Sequence, residues 1–400
     1  MGFAYFNARP RPFFVIIFLM AEIKNVLIAT NSGNCGGMEV HVLNILEGLH
    51  KDFNFYVVCP SGNIVSEYEK YAKVINLSPK FDIDPIYILK LVRLLKMFNI
   101  SVLHAHELKV GVNGLIAASL AKVLLRISHQ HTPISNWQIS PAKKKMDAWI
   151  YKFFVNKFSD CEIALTSEIK RQKIKEGVCE KKLIIIPNGV DIKRFNLPTR
   201  QRSANRLEVC KKYDISPRDL IIGNISRLTI EKGHALLIKA VRILENEGKL
   251  NNARFLIVGD GELRDELMRM VKSYGLSGKI TFAGFVSEEE KCIILTGMDV
   301  FVFPTLAEGF GIVLIEAMSS KLPCVVSDLP VLKDVASDSV LYFRQGDEKS
   351  LGEGLEKVIA SRTLREKLSK ESAKRAGNYD IRKFCILYKD LYENTLSIPS

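Results

Sequence analysis

Residues 299–328, DVFVFPTLAEGFGIVLIEAMSSKLPCVVSD, constrain the fold more than any other stretch. Val300, Phe301, Val302 and Phe303 form an apolar run closed by Pro304, and Pro323 precedes a second run at Val325 and Val326. Two short, wholly apolar runs separated by one amphipathic helix fit parallel strands with a crossover, because a parallel sheet is buried on both faces. Glu308 then falls at the carboxyl end of a strand, the edge at which open α/β sheets bind ligands. Glu316 follows about two helical turns later among Ile312, Ile315 and Met318, where a carboxylate needs a partner. Gly309 and Gly311 flank Phe310, so the amides of Phe310 and Gly311 can approach a ligand at a helix N-terminus.

A chain of 400 residues exceeds what one core supports, so an α/β protein of two domains is expected. The net charge of +13 is uneven: residues 1–200 hold 27 Lys/Arg against 16 Asp/Glu, and residues 201–400 hold 30 against 28. The basic excess therefore belongs to the first half, where it suits an anionic membrane surface or a charged acceptor. There is no zinc-finger spacing and no arginine-rich tract, which argues against nucleic acid as a partner. The eight cysteines include no C-x-x-C pair, and several sit in apolar runs. They read as reduced thiols, hence a cytoplasmic protein. Residues 1–22 form an extension whose apolar stretch, 13–20, is too short to span a bilayer; Met20 is an alternative start.

Val26, Leu27 and Ile28 make a first strand leading into NSGNCGG at 31–37 and then a helix. Strand, glycine loop and helix form a phosphate-cradling arrangement, with Gly36 and Gly37 as the ligand-contacting pair. Asp82-Ile83-Asp84 matches a metal-binding D-x-D, but Asp84 followed by Pro85 reads better as a helix N-cap, which leaves no metal site to assign. In SVLHAHE, 101–107, strand alternation puts His104 and His106 on one side. His129 and His131 in SHQHTP stand at a strand-to-loop transition, and their position alone makes them candidates for touching an acceptor. At 143–158, Met146, Trp149, Ile150, Phe153 and Phe154 recur at helical spacing among lysines. That face is either core packing or a basic, aromatic patch for anionic lipid.

Residues 196–206 are polar, contain Pro198 and read as a structureless linker. Beyond it, Arg227 follows a strand and Lys232 precedes a glycine and a helix, which aims both cations at the edge that carries Glu308. PNGVD at 187–191, ISRLTIEKG at 225–233, FLIVGDGELRDEL at 255–267 and ITFAGFV at 280–286 precede the EGFGIVLIEAMSSKLPCVVSD run in the chain. In these motifs and their order the chain, from about residue 25 onward, resembles the retaining nucleotide-sugar glycosyltransferases of family 4. At residues 36–39 the family usually has two glycines, a small residue and a glutamate, which would make Gly36 and Gly37 donor-binding; Met38 departs from that pattern in bulk.

The resemblance implies the GT-B fold, two facing Rossmann-like domains with parallel sheets and a cleft between them. The boundaries expected are 23–196 for an acceptor domain completed by a terminal helix at 380–400, a linker at 197–207, and a donor domain at 208–379. It implies that His106 faces the donor sugar and phosphate, and that Gly284, Phe285 and Val286 lie against the nucleotide base. Arg227 and Lys232 would stabilise the departing diphosphate, Glu308 would accept from sugar hydroxyls and Glu316 would hold the ribose. By the same resemblance the donor would be a nucleotide sugar, UDP favoured over GDP on family frequency, with no further cofactor or metal, and the acceptor a carbohydrate or a lipid-linked one. A glycoside hydrolase would also use two carboxylates but has no use for a diphosphate cradle. An epimerase or phosphorylase of the same fold, and a non-catalytic anionic-lipid-binding module, stand as alternatives.

Overall fold

The computed structural model describes residues 24–137 and 139–393. The expectations for residues 1–22, and for 394–400 of the terminal helix, lie outside the described residues. The first sheet comprises β1 (Asn25–Ala29), β2 (Asn54–Cys59), β3 (Ala72–Asn76), β4 (Val102–His106), β5 (Leu125–His129), β6 (Cys161–Ala164) and β7 (Leu183–Ile185). The second comprises β8 (Leu220–Ile225), β9 (Ala253–Val258), β10 (Ile280–Gly284), β11 (Val300–Phe303), β12 (Cys324–Ser327) and β13 (Leu341–Phe343). Strand orders are β3-β2-β1-β4-β5-β6-β7 and β10-β9-β8-β11-β12-β13, with every pairing parallel. These are two Rossmann-like sheets of the GT-B architecture. In each, the order reverses at one place, between β1 and β4 and between β8 and β11, and such a switch point opens a crevice at the strands' carboxyl ends. All four residues of β11 are buried, as its unbroken apolar run requires.

The last helix, Ile381–Glu393, packs on the helix Gly37–Leu49 of the first lobe and not on the second sheet that precedes it. Phe384, Tyr388 and Tyr392 are buried along one side at helical spacing. An isolated parallel bridge joins Val190 to Asp380, so the outgoing and returning chain segments run side by side between the lobes.

Two expectations need correction. The supposed linker is mostly helix, Thr199–Tyr213, packed along the helix Glu288–Gly297. Asn205 donates to Thr296 Oγ1 at 2.7 Å and Arg206 pairs with Asp299 at 2.6 Å. The buried stripe, Asn205, Val209 and Cys210, is narrow and partly polar, so composition concealed it. In the helix Pro141–Phe158 the aromatic set is split. Asp147, Tyr151 and Val155 face the core and Ile150 and Phe154 are half-buried against it, whereas Met146, Trp149 and Phe153 are 50%, 58% and 40% exposed. Asp84 is the expected N-cap, accepting from the Ile86 and Tyr87 amides at 3.1 Å.

Candidate active site

The loops after β8 and β11 are laced together by backbone contacts. Leu306 N donates to Glu231 O at 2.7 Å and Thr305 Oγ1 donates to the same carbonyl at 3.0 Å. Gly233 has φ +70°, and a Cβ there would stand 2.0 Å from Pro304 O, so only glycine permits this approach. The lacing delivers the Lys232 ammonium to Glu308 Oε2 at 2.6 Å, with both side chains largely shielded. Arg227 is the outer cation: its side chain is 76% exposed, and the guanidinium lies 3.6 Å from Glu231. A Cβ on Gly309 would lie 3.3 Å from His131 O and 3.2 Å from Thr132 Oγ1, so the Glu308 loop meets the first lobe here.

Glu316 finds its partner in Lys291, which donates at 2.7 Å and also pairs with Glu288 at 2.9 Å. Burial nevertheless holds the Glu316 carboxyl above its ordinary range, and Lys291 offsets only part of that. Gly311, at φ +88°, caps the helix Ile312–Ser319. Phe310 is buried edge-to-face on Tyr379, so it can offer a ligand its amide and not its ring. Gly284 sits at φ +75° and its carbonyl accepts from Gly259 N at 2.8 Å. Phe285 projects outward, 82% exposed, while Val286 packs partly against the core.

Across the cleft, Gly36 is the extended N-cap of the helix Gly37–Leu49 and is exposed, and a Cβ on Gly37 would meet nothing within 4 Å. The adjoining loops after β1 and β2 touch through glycines: a Cβ on Gly33 would be 2.1 Å from Pro60 O. His104 and His106 do share a side of β4, with ring centroids 4.2 Å apart. His106 is fully buried, its Nδ1 2.9 Å from His131 Nε2. It therefore meets the cleft through His131, a correction to the expectation that it faces the donor. His129 is also fully enclosed and cannot touch an acceptor as it stands, because β5 carries it inward beside β4; of the two acceptor candidates only His131 lies at the cleft. Burial holds all three imidazoles below their usual range, and thus neutral at pH 7.

Sequence reasoning missed His41, Glu107 and Lys291. His41 Nδ1 lies 2.6 Å from Asn188 Oδ1 and its Nε2 3.0 Å from Tyr388 OH, contacts between segments remote in the chain. Glu107 has φ +66°, rare for a residue with a side chain, and its carboxylate accepts from Gln130 Nε2. Burial pushes it up to about 7. The signal available was its place directly after His106, at the end of β4.

The arrangement, two parallel-sheet lobes meeting over a shielded Lys–Glu pair and glycine-capped helices, agrees with the comparisons. Residues 205–375 match the family described as Glycosyl transferases group 1, and residues 35–194 match Glycosyltransferase Family 4. The chain is 30% identical over 248 residues to UDP-Gal:alpha-D-GlcNAc-diphosphoundecaprenol alpha-1,3-galactosyltransferase of Escherichia coli, covering 60% of this chain and 61% of that protein. It is 24% identical to alpha-monoglucosyldiacylglycerol synthase of Streptococcus pneumoniae, covering 72% of this chain and 67% of that protein. The crystal structure of Anabaena HepE in complex with UDP superposes with a TM-score of 0.80 at 19% identity, covering 93% of this chain and all of the other. The chain is an enzyme of the transferase class and belongs to the group 1, family 4 glycosyltransferases of GT-B fold.

Proposed function

We propose that the enzyme moves a hexosyl group from a nucleoside-diphosphate sugar, UDP before GDP, to a hydroxyl of a carbohydrate or lipid-linked acceptor, with retention of anomeric configuration. The products would serve a cell-envelope polysaccharide, glycolipid or related glycoconjugate. The Lys232–Glu308 contact at the second switch point carries this reading, since it puts a cation and a sugar-hydroxyl acceptor side by side. The names of the two relatives, one using UDP-Gal with a diphospholipid and one making a glycolipid, support the donor and acceptor classes.

As the anomeric carbon–oxygen bond breaks, negative charge grows on the diphosphate. Lys232 and Arg227 meet it as cations, and the amides at Gly36, Gly37, Phe310 and Gly311 meet it as dipoles. Glu308 accepts from sugar hydroxyls, and Glu316 holds the ribose hydroxyls with the oxygen that Lys291 leaves free. The exposed Phe285 ring, beside the Gly284 and Val286 backbone, offers a face for the base. The acceptor hydroxyl attacks on the face the diphosphate leaves, and a departing phosphate oxygen takes its proton. His131, backed by His106, orients donor or acceptor at the first-lobe wall. Because preorganised cations and amides neutralise the leaving group, this donor site needs no metal ion.

No helix among the described residues is long and apolar enough to cross a membrane. The stripe of Met146, Trp149 and Phe153, with exposed Lys143, Lys145, Lys152 and Lys157 around it, fits shallow contact with an anionic leaflet from the cytoplasmic side. A panel of nucleotide sugars read by thermal stabilisation, followed by the anomeric configuration of the product, tests the proposal. An inverted product, or turnover that brief EDTA treatment abolishes and magnesium or manganese restores, would overturn it.

A further inference from the structure

Beneath the first-lobe wall, five histidines, His41, His104, His106, His129 and His131, crowd together with ring centroids 3.9 to 5.8 Å apart in their close pairs. Buried imidazole nitrogens normally find partners, and an orphaned one costs about 1–3 kcal/mol. Among the described residues, His104 Nε2, His106 Nε2 and both nitrogens of His129 are buried with no hydrogen-bond partner. His104, His106 and His129 each offer a ring nitrogen within 4.8 Å of the other two, and all three residues are fully enclosed.

The backbone preorganises this trio. His104 and His106 stand two apart on β4, so both point to one side, and His129 is the register partner of His106 on β5. The outward contacts allow the tautomers that ligation requires. His104 Nδ1 lies 2.8 Å from Tyr392 OH, and His106 Nδ1 lies 2.9 Å from His131 Nε2. With a proton on each Nδ1 donating outward, each Nε2 presents a lone pair inward, the orientation that a metal-ligating imidazole takes from its outer partner. A second trio, His41, His129 and His131, is equally compact. Both nitrogens of His41 are already committed to Asn188 and Tyr388, and His131 Nε2 to His106, so that trio has fewer lone pairs to give.

We propose that His104, His106 and His129 hold one divalent transition-metal ion, zinc by first choice, as a structural centre within the first lobe. Three imidazoles without thiolate or carboxylate suit zinc, nickel or copper, whereas magnesium and calcium demand oxygen ligands. Zinc–nitrogen bonds of about 2.0–2.1 Å set tetrahedral nitrogens roughly 3.4 Å apart, so the rings close inward by about 1 Å, and a water or hydroxide takes the fourth position. Through Tyr392 the ion ties the last helix to the sheet. It takes no part in the diphosphate chemistry proposed above, and through His106 it would steady His131 at the first-lobe wall.

The test uses the full chain without a histidine tag, purified without an immobilised-metal column. Elemental analysis is expected to find about one equivalent of zinc per chain. Unfolding in chelator and refolding should give an apoprotein that melts several degrees lower, regains its melting temperature with zinc, and shows the visible bands of tetrahedral cobalt when given cobalt. His104→Gln and His129→Gln should each lower metal content tenfold or more, while His50→Gln, on the surface, should not. If those variants fail to fold, the wild-type chain still decides. Metal below about a tenth of an equivalent, with no cobalt bands and no stabilisation by zinc, overturns the proposal, as does an ordered water at the trio in a high-resolution crystal structure. Stabilisation by UDP, measured in parallel, reports separately on the glycosyltransferase reading.

Discussion

Lys232 Nζ and Glu308 Oε2 lie 2.6 Å apart, with side-chain exposures of only 16% and 14%, although 76 residues separate them in sequence. In the proposed donor site the contact would prepare an exchange of partners, an arriving diphosphate drawing the ammonium away and releasing Glu308 to accept from the sugar. Lys232→Ala and Arg227→Ala should each lower kcat by about 100-fold or more, the loss typical of a missing transition-state donor. Arg227→Ala should leave the melting temperature unchanged, because its partner contact is exposed and loose. Lys232→Ala combined with Glu308→Ala should cost much less than the product of the single losses, as steady-state kinetics of the double-mutant cycle will report.

Glu316 sets a pH dependence for donor binding. Its carboxyl is held above the ordinary range by burial, and the proposed hold on the ribose, through the oxygen that Lys291 leaves free, uses the ionised form. Donor affinity should therefore be full at neutral pH and fall on acidification, at a higher pH than an ordinary glutamate would give. Calorimetric titration of UDP across pH should show that fall in the wild type. Glu316→Gln should bind about tenfold more weakly and lose the dependence.

Gly233 and Gly248 have similar positive φ, +70° and +67°, but different surroundings. A Cβ on Gly233 strikes Pro304 O, whereas one on Gly248 meets nothing within 4 Å. Gly248→Ala should cost only the backbone strain, about 1 kcal/mol. Gly233→Ala should cost roughly 3 kcal/mol or more and reduce turnover, since relief of the clash parts the loop bearing Lys232 from the one bearing Glu308. Urea denaturation measures the first quantity and initial rates the second.

The stripe on the helix Pro141–Phe158 predicts lipid selectivity. Trp149→Ala with Phe153→Ala should weaken sedimentation with anionic vesicles about tenfold, and raised salt should weaken it further, while neutral vesicles bind little in either case. Because both rings are substantially exposed, the melting temperature should move by less than about 2 °C.

Local patterns in the sequence disclosed what local chemistry determines. The apolar run of β11, the Asp84-Pro85 cap and the glycines around Phe310 each stand where their residue types required. The Thr199–Tyr213 helix escaped because its buried stripe is an asparagine, a valine and a cysteine amid charge. His106 and His129 were expected at the surface of the site, yet which strands lie side by side decides their burial, and no window of sequence holds that information. Lys291 was illegible for the same reason: its partner Glu316 comes from another helix.

Val190 and residues 379–381 are joined by two backbone bonds, Val190 N to Tyr379 O at 2.8 Å and Ile381 N to Val190 O at 3.0 Å. Any swing of one lobe against the other must flex both passages of the polypeptide together. A single connector could twist about its own axis; two hydrogen-bonded segments would resist that twist more than they resist bending. The alignment of the opposing walls would thus be kept by the place where the chain crosses twice, directly behind the Phe310 loop that Tyr379 supports.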